Sequence, residues 1–156
     1  MIQSKETMRI SSSPDVVYGV IETMPNKFPI YKVLETKPFL FLRMTLVDGL
    51  HVAIKSIRTE RPTSNLIMNI GDSFGPFTLR KADRPREYWF SLESFFINCQ
   101  TGFSLTTQND TTVLDFFILA EKPSIAEKIW WFIFKPFHVI FANKVLRIIR
   151  EKVELR

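Results

Sequence analysis

The sequence is poor in the residues that make most chemistry recognisable. Its 156 residues include one cysteine and two histidines. With Cys99 alone, an intrachain disulfide and a cysteine-rich metal site are both excluded. A reducing, cytoplasmic setting is the expected default, because the amino-terminal "MIQSKETMRI" also lacks the apolar run of a secretory signal. "NDT" at Asn109–Thr111 matches the glycosylation pattern, which carries little meaning without such a signal. There is no His-Glu-x-x-His metal site, no Ser/His/Asp motif and no Gly-Lys-Ser/Thr phosphate loop; "GDSFG" reads as a turn, not a phosphate cradle. No cofactor or metal is therefore expected. Internal repeats, low-complexity segments and linkers are missing too. The chain reads as one domain, residues 1–156, of a size that buries about two-thirds of its unfolded surface.

What the sequence has in quantity is aromatic side chains, 15 Phe and 3 Trp. Such rings bring large apolar area and, where not tightly interlocked, line pockets for apolar ligands. Hydrophobic content of 46% with 24% charged residues is a globular balance. Net charge is +5, from 21 basic and 16 acidic residues spread along the chain. The basic tail Lys144–Arg156 also carries Glu151 and Glu154, so it reads as a solvated helix face and no nucleic-acid partner is expected.

Periodicity supplies the elements. Met8 and Ile10 alternate with polar residues as in a half-buried strand. Ser13, Pro14 and Asp15 then form a helix start with a hydroxyl cap, a proline at the first position and an early acid. Val16, Val17, Val20 and Ile21 supply its apolar face. From Phe39 to Ile57, apolar residues at helical spacing compete with a hairpin signal at Asp48-Gly49, and the spacing favours a helix. Beyond Pro62 the period becomes two, over Leu66–Ile70, Phe77–Leu79, Tyr88–Leu92, Phe103–Leu105 and Leu114–Ile118. Turns at Gly71-Asp72, Asp83–Arg86 and Asn109-Asp110 join these runs into an antiparallel meander.

A helix is predicted over 125–153, opened by the capping box Ser124-x-x-Glu127 and about 43 Å long. Its core, "IWWFIFKPFHVIF", is too short to span a bilayer: thirteen helical residues cover about 20 Å of a hydrocarbon layer of about 30 Å. Lys135 at the centre of a span would cost about 3 kcal/mol. On a helical projection Trp130, Phe134, Phe137, Phe141, Val145 and Ile148 share one stripe, expected to face the sheet. Phe132, Val139, Leu146 and Val153 form a second, nearly opposite seam, which needs the 39–57 segment, another subunit or a lipid surface to cover it. Pro136 should bend the helix.

"ISSSPDVVYGVI", "IGDSFGPFTL" and "LAEKPSIAEKIWWFIFKPFHVIF" together resemble the START-like, polyketide-cyclase-like (SRPBCC) superfamily. They are most similar to an uncharacterised branch sometimes appended to epimerase-like nucleotide-binding domains. "FLRMTLVDGL" resembles that branch's Arg/Leu/Asp helix, with Arg43 and Asp48 at the matching places. The resemblance implies an α+β helix-grip fold, in which a curved antiparallel sheet wraps a long C-terminal helix and encloses a cavity. The expected function is carriage or sequestration of a hydrophobic or amphipathic small molecule there. The candidate lining is Phe90, Phe103, Phe116, Trp130, Phe134, Phe137, His138 and Phe141, with Arg43 and Asp48 as polar anchors.

Two other function classes stay open. A cyclase- or hydrolase-like enzyme could use the same cavity, with Asp48 orienting His51 one helical turn away and His138 at the cavity edge. Alternatively, Trp131, Phe132 and Val139 beside Lys128, Lys135 and Lys144 have the mix used at lipid headgroups, and would equally suit a homodimer seam. The superfamily resemblance sets the dimer ahead of the membrane.

Overall fold

A computed structural model describes residues 1–23, 67–74, 77–93 and 97–155. The predicted 39–57 segment, with Arg43, Asp48 and His51, lies outside the described residues. In chain order come β1 (Ile2–Ile10), α1 (Pro14–Glu22), β2 (Ser73–Phe74), β3 (Phe77–Asp83), β4 (Glu87–Glu93), β5 (Asn98–Gln108), β6 (Thr111–Ala120) and α2 (Ile125–Glu154). The described strands form one curved, wholly antiparallel sheet in the order β1-β6-β5-β4-β3-β2. The sequence expectation of an α+β meander followed by a long helix is met. No helix among the described residues is long and apolar enough to cross a membrane.

Period-two patterning sets which face is inside. Tyr88, Phe90 and Leu92 of β4, Phe103 and Leu105 of β5, and Leu114, Phe116 and Ile118 of β6 are all buried on the face toward α2. Ile2 and Ile10 continue that face on β1, and Leu79 on β3. The β5–β6 hairpin closes through Asn109 (φ 49°) and Asp110 (φ 59°), both left-handed, which matches the twist of the flanking strands. On the outer face, Trp89, Gly102 and Phe117 are cross-strand neighbours, and a side chain at Gly102 would run into the backbone of Tyr88 and Trp89.

Two local expectations need correction. Ile67–Asn69 is not a strand, although Met68 and Ile70 alternate with Ile67. The Asp72 carboxylate accepts the Asn69 N–H at 2.8 Å and the Asp72 N–H donates to the Asn69 carbonyl at 3.0 Å, so the backbone closes on itself instead of extending. Ile67 and Ile70 are consequently exposed. At α1, Ser13 stands at the cap position and Pro14 opens the helix, but the Ser13 hydroxyl makes no capping bond. The buried face of α1 is Val17, Tyr18, Val20 and Ile21, with Val16 turned out. Arg84, in the β3–β4 turn, holds α1 down by donating to Asp15 at 3.4 Å and Glu22 at 3.0 Å, with its guanidinium 5.5 Å from the Tyr18 ring centre.

The capping box is present in full. The Ser124 hydroxyl accepts the Glu127 N–H at 3.2 Å, and the Glu127 carboxylate accepts the Ser124 N–H at 2.7 Å. Its second oxygen accepts the Asn98 N–H at 3.0 Å, which ties the first turn of α2 to the first residue of β5. From there α2 runs 30 residues, unbroken through Pro136. It packs mainly along β1 and α1, with a smaller contact on β6.

Candidate functional site

The side of α2 that meets the sheet is not the one its largest side chains suggest. Trp131, His138, Ala142, Val145, Leu146, Ile149 and Val153 are buried. On an ideal helix this face is turned by about 90° from the Trp130–Phe134–Phe137–Phe141 stripe, toward the second seam. Of the first stripe only Val145 is fully buried; Trp130, Phe134, Phe137, Phe141 and Ile148 are half-buried. The second seam divides along its length, with Leu146 and Val153 buried and Phe132 83% exposed. Ala142 is wholly buried on this face, where its methyl group fills less space between helix and sheet than a phenylalanine would.

The half-buried aromatic flank is thereby turned away from β1. On the opposite flank Asn143 donates to the Glu6 carboxylate of β1 at 3.3 Å, in keeping with that rotation. Phe134 packs on the group formed by Ile2, Leu92, Ile97, Cys99, Ile118, Ala120 and Trp131. Phe141 packs on the larger group that contains Phe90, Phe103 and Phe116. Phe77, half-buried on β3, touches both groups.

Rings connect the helix with the sheet. Phe116 lies 4.9 Å from Phe103, 5.7 Å from His138 and 6.3 Å from Phe141, centre to centre. Phe134 and Phe137 stack at 6.4 Å along the flank. His138 is 4% exposed, stacked on Phe116 and 5.3 Å from the Trp131 ring. A second chain of edge-to-face contacts runs from Phe77 to Phe90 (6.4 Å), Tyr88 (5.4 Å) and Tyr18 (5.8 Å).

Thus Phe116, His138 and Phe141 come together with Phe103, and Phe134 with Phe137, while Phe90 belongs to the second chain of rings. Trp131, read in the sequence as a surface residue, is a core residue at 8% exposure. The seven-residue spacing Trp131–His138–Val145, with Ala142–Ile149 beside it, is the signal that could have shown this.

Polar chemistry inside is sparse. The Tyr88 hydroxyl is buried and has no hydrogen-bond partner among the described residues. Burial raises its pKa above the ordinary tyrosine value, and Tyr18 beside it is pushed up to about 12, first by burial and then by Glu22. Both phenols are neutral at physiological pH and can serve only as neutral donors or acceptors. Burial likewise pushes the Cys99 thiol up to about 12, so it is no nucleophile. Among the described residues no group of three or more His, Cys, Asp or Glu side chains could hold a metal ion.

No protein-family model matches the chain, and no curated protein matches it. Among solved structures it is similar to the Aha1 dimer from Colwellia psychrerythraea, with a TM-score of 0.54 and 13% identity over 99% of this chain and 97% of that one. TTHA0849 from Thermus thermophilus overlaps over 99% of this chain and 98% of that chain, with a TM-score of 0.45 and 11% identity. The overlap with Aha1 spans nearly the whole of both chains and establishes a shared α+β fold, a curved antiparallel sheet carrying a long C-terminal helix.

Proposed function

We propose that this chain is a helix-grip protein of the START-like type that holds an apolar or amphipathic small molecule between the inner face of its sheet and the aromatic flank of α2. One observation carries the reading. The helix leans on β1, and Phe134, Phe137 and Phe141 stay half-buried beside the rings of the sheet instead of forming its centre line. A helix seated for packing alone would bury these phenylalanines as it buries Trp131, because each fully buried phenylalanine contributes about 1.5–3 kcal/mol. Here the deepest positions go to Ala142, Val145, Leu146 and Ile149. The resemblance of the sequence to START-like proteins supports the same reading, and the fold shared with Aha1 supports the helix-grip architecture it requires. The compartment that goes with it is the cytoplasm, where a single buried thiol stays reduced.

Tyr88 gives the ligand class a polar element. A buried hydroxyl without a partner among the described residues costs about 1–3 kcal/mol and suits a ligand with one neutral polar group. Self-association is a second reading, favoured by the dimeric state of the Aha1 structure. The test of ligand binding is titration with an environment-sensitive apolar dye, followed by displacement with fatty acids. Saturable uptake, weakened by Phe137→Ser with the fold intact, is expected. Linear, non-saturable uptake, unchanged by Phe137→Ser and not displaced by any lipid of a broad panel, would remove the proposal.

A further inference from the structure

The outer side of the amino-terminal half of α2 is apolar and left uncovered by the described residues. Ile125 (77%), Ile129, Phe132 (83%), Ile133 and Ile140 are all exposed. With Pro136 they fall within about 100° of arc on an ideal helix, so they form one stripe and not scattered single residues. Its surroundings carry one sign of charge. Between Glu127 and Glu151 the helix holds Lys128, Lys135, Lys144, Arg147 and Arg150 and no acidic residue. Lys128 and Lys135 run along one border of the stripe, while Lys144 and Arg147 close its carboxyl end. All four are exposed, and none makes an ion pair with a described residue; Arg150 is held by Glu154 at 3.7 Å.

The geometry points to an anionic lipid bilayer as the occupant of this stripe, with α2 lying in the plane of the headgroups. Phe132 and the isoleucines enter the acyl boundary, and the lysine stems reach back to lipid phosphates. Two observations favour lipid over a second copy of the chain. An antiparallel two-fold pairing across the stripe would bring the two Lys128/Lys135 borders together, and a parallel one the two Lys144/Arg147 ends; either costs energy, whereas an anionic surface complements them. The stripe is also small: sixteen residues of helix give a band about 24 Å long and about 10 Å wide, well short of the roughly 800 Å² per partner of a standard protein interface. A bilayer needs no such area, because it wraps whatever is inserted. The residues differ from those the sequence suggested for this role, since Trp131 is buried while Ile125, Ile129, Ile133 and Ile140 join Phe132. This inference does not depend on a bound small molecule.

Co-sedimentation with vesicles of phosphatidylcholine plus phosphatidylserine, and of phosphatidylcholine alone, tests it. Binding to the mixed vesicles that falls with added salt is expected. Phe132→Ser should weaken it about tenfold, and each of Lys128→Gln and Lys135→Gln about fivefold; dye binding should not change. A fluorophore on Phe132→Cys should report water without vesicles and an apolar surrounding with them, the native Cys99 being buried. Absence of binding to mixed vesicles, or binding indifferent to Phe132→Ser, would overturn the inference. So would a Phe132→Cys probe already in an apolar surrounding before vesicles are added, whether from another part of the chain or from a second copy.

Discussion

Removing the Glu127 carboxylate should loosen the grip of α2 on the sheet by a measurable and pH-dependent amount. That carboxylate accepts the Ser124 N–H at 2.7 Å and the Asn98 N–H at 3.0 Å, so it satisfies a free donor at the helix start and one at the start of β5. Loss of a capping side chain costs about 0.5–2 kcal/mol, and a second charge-assisted bond adds to it, tempered by the exposure of the site. Glu127→Ala should therefore cost about 1–2 kcal/mol near neutral pH, a fall in Tm of about 2–8 °C for a chain of this size. The backbone N–H of Ser124, followed by that of Asn98, holds the Glu127 carboxyl below its usual value. A carboxyl whose pKa is lower folded than unfolded contributes fully above the unfolded value of about 4.3, and loses that contribution as pH falls through the folded value. Urea melts of both chains at neutral pH and well below pH 4 should show a gap that narrows on acidification. An equal gap at both pH values, or no gap at neutral pH, would refute the reasoning.

Gly102→Ala should destabilise by about 2 kcal/mol or more, because the added methyl meets the Tyr88 and Trp89 backbone and neither can move without breaking the β4–β5 pairing; denaturant melts would show it. Leu146→Ala, at a fully buried position on the inner side of α2, should cost about 2–5 kcal/mol by the same measurement. Cys99, with its thiol pushed up to about 12, should resist alkylation at neutral pH until the chain is unfolded, which mass analysis after iodoacetamide treatment would check. Tyr88→Phe should leave stability unchanged or raise it by up to about 1 kcal/mol, since it removes a buried hydroxyl that no described residue satisfies. The same variant should bind a purely apolar dye normally and a fatty alcohol more weakly.

The sheet was legible because its signal is local. Alternation over Tyr88–Leu92 or Leu114–Ile118 fixes an inner face without knowledge of what covers it. It failed at Met68–Ile70, where one Asp72 carboxylate offers the backbone a closer partner than a neighbouring strand. The extent of α2 was legible for the same reason, since the Ser124–Glu127 pair and the 3.6-residue period lie in one segment. Its orientation was missed, although the seven-residue spacing Trp131–His138–Val145 carries part of it. Counting large apolar side chains points to Phe134, Phe137 and Phe141, but the helix turns Ala142, Val145, Leu146 and Ile149 inward and joins Asn143 to Glu6, on a strand more than a hundred residues away. No periodicity within the helix encodes that partner. The bond from Asn98 to Glu127 was invisible on the same grounds. Phe103, Phe116 and Phe141 were found together because two are sheet residues read from alternation and the third meets them from the helix flank.

Native mass spectrometry of freshly purified protein tests the ligand proposal most directly. The proposal predicts a mass above that of the bare polypeptide by one small apolar molecule, retained under gentle activation and lost or much reduced in Phe137→Ser. A bare mass, unchanged after incubation with a whole lipid extract, would contradict it.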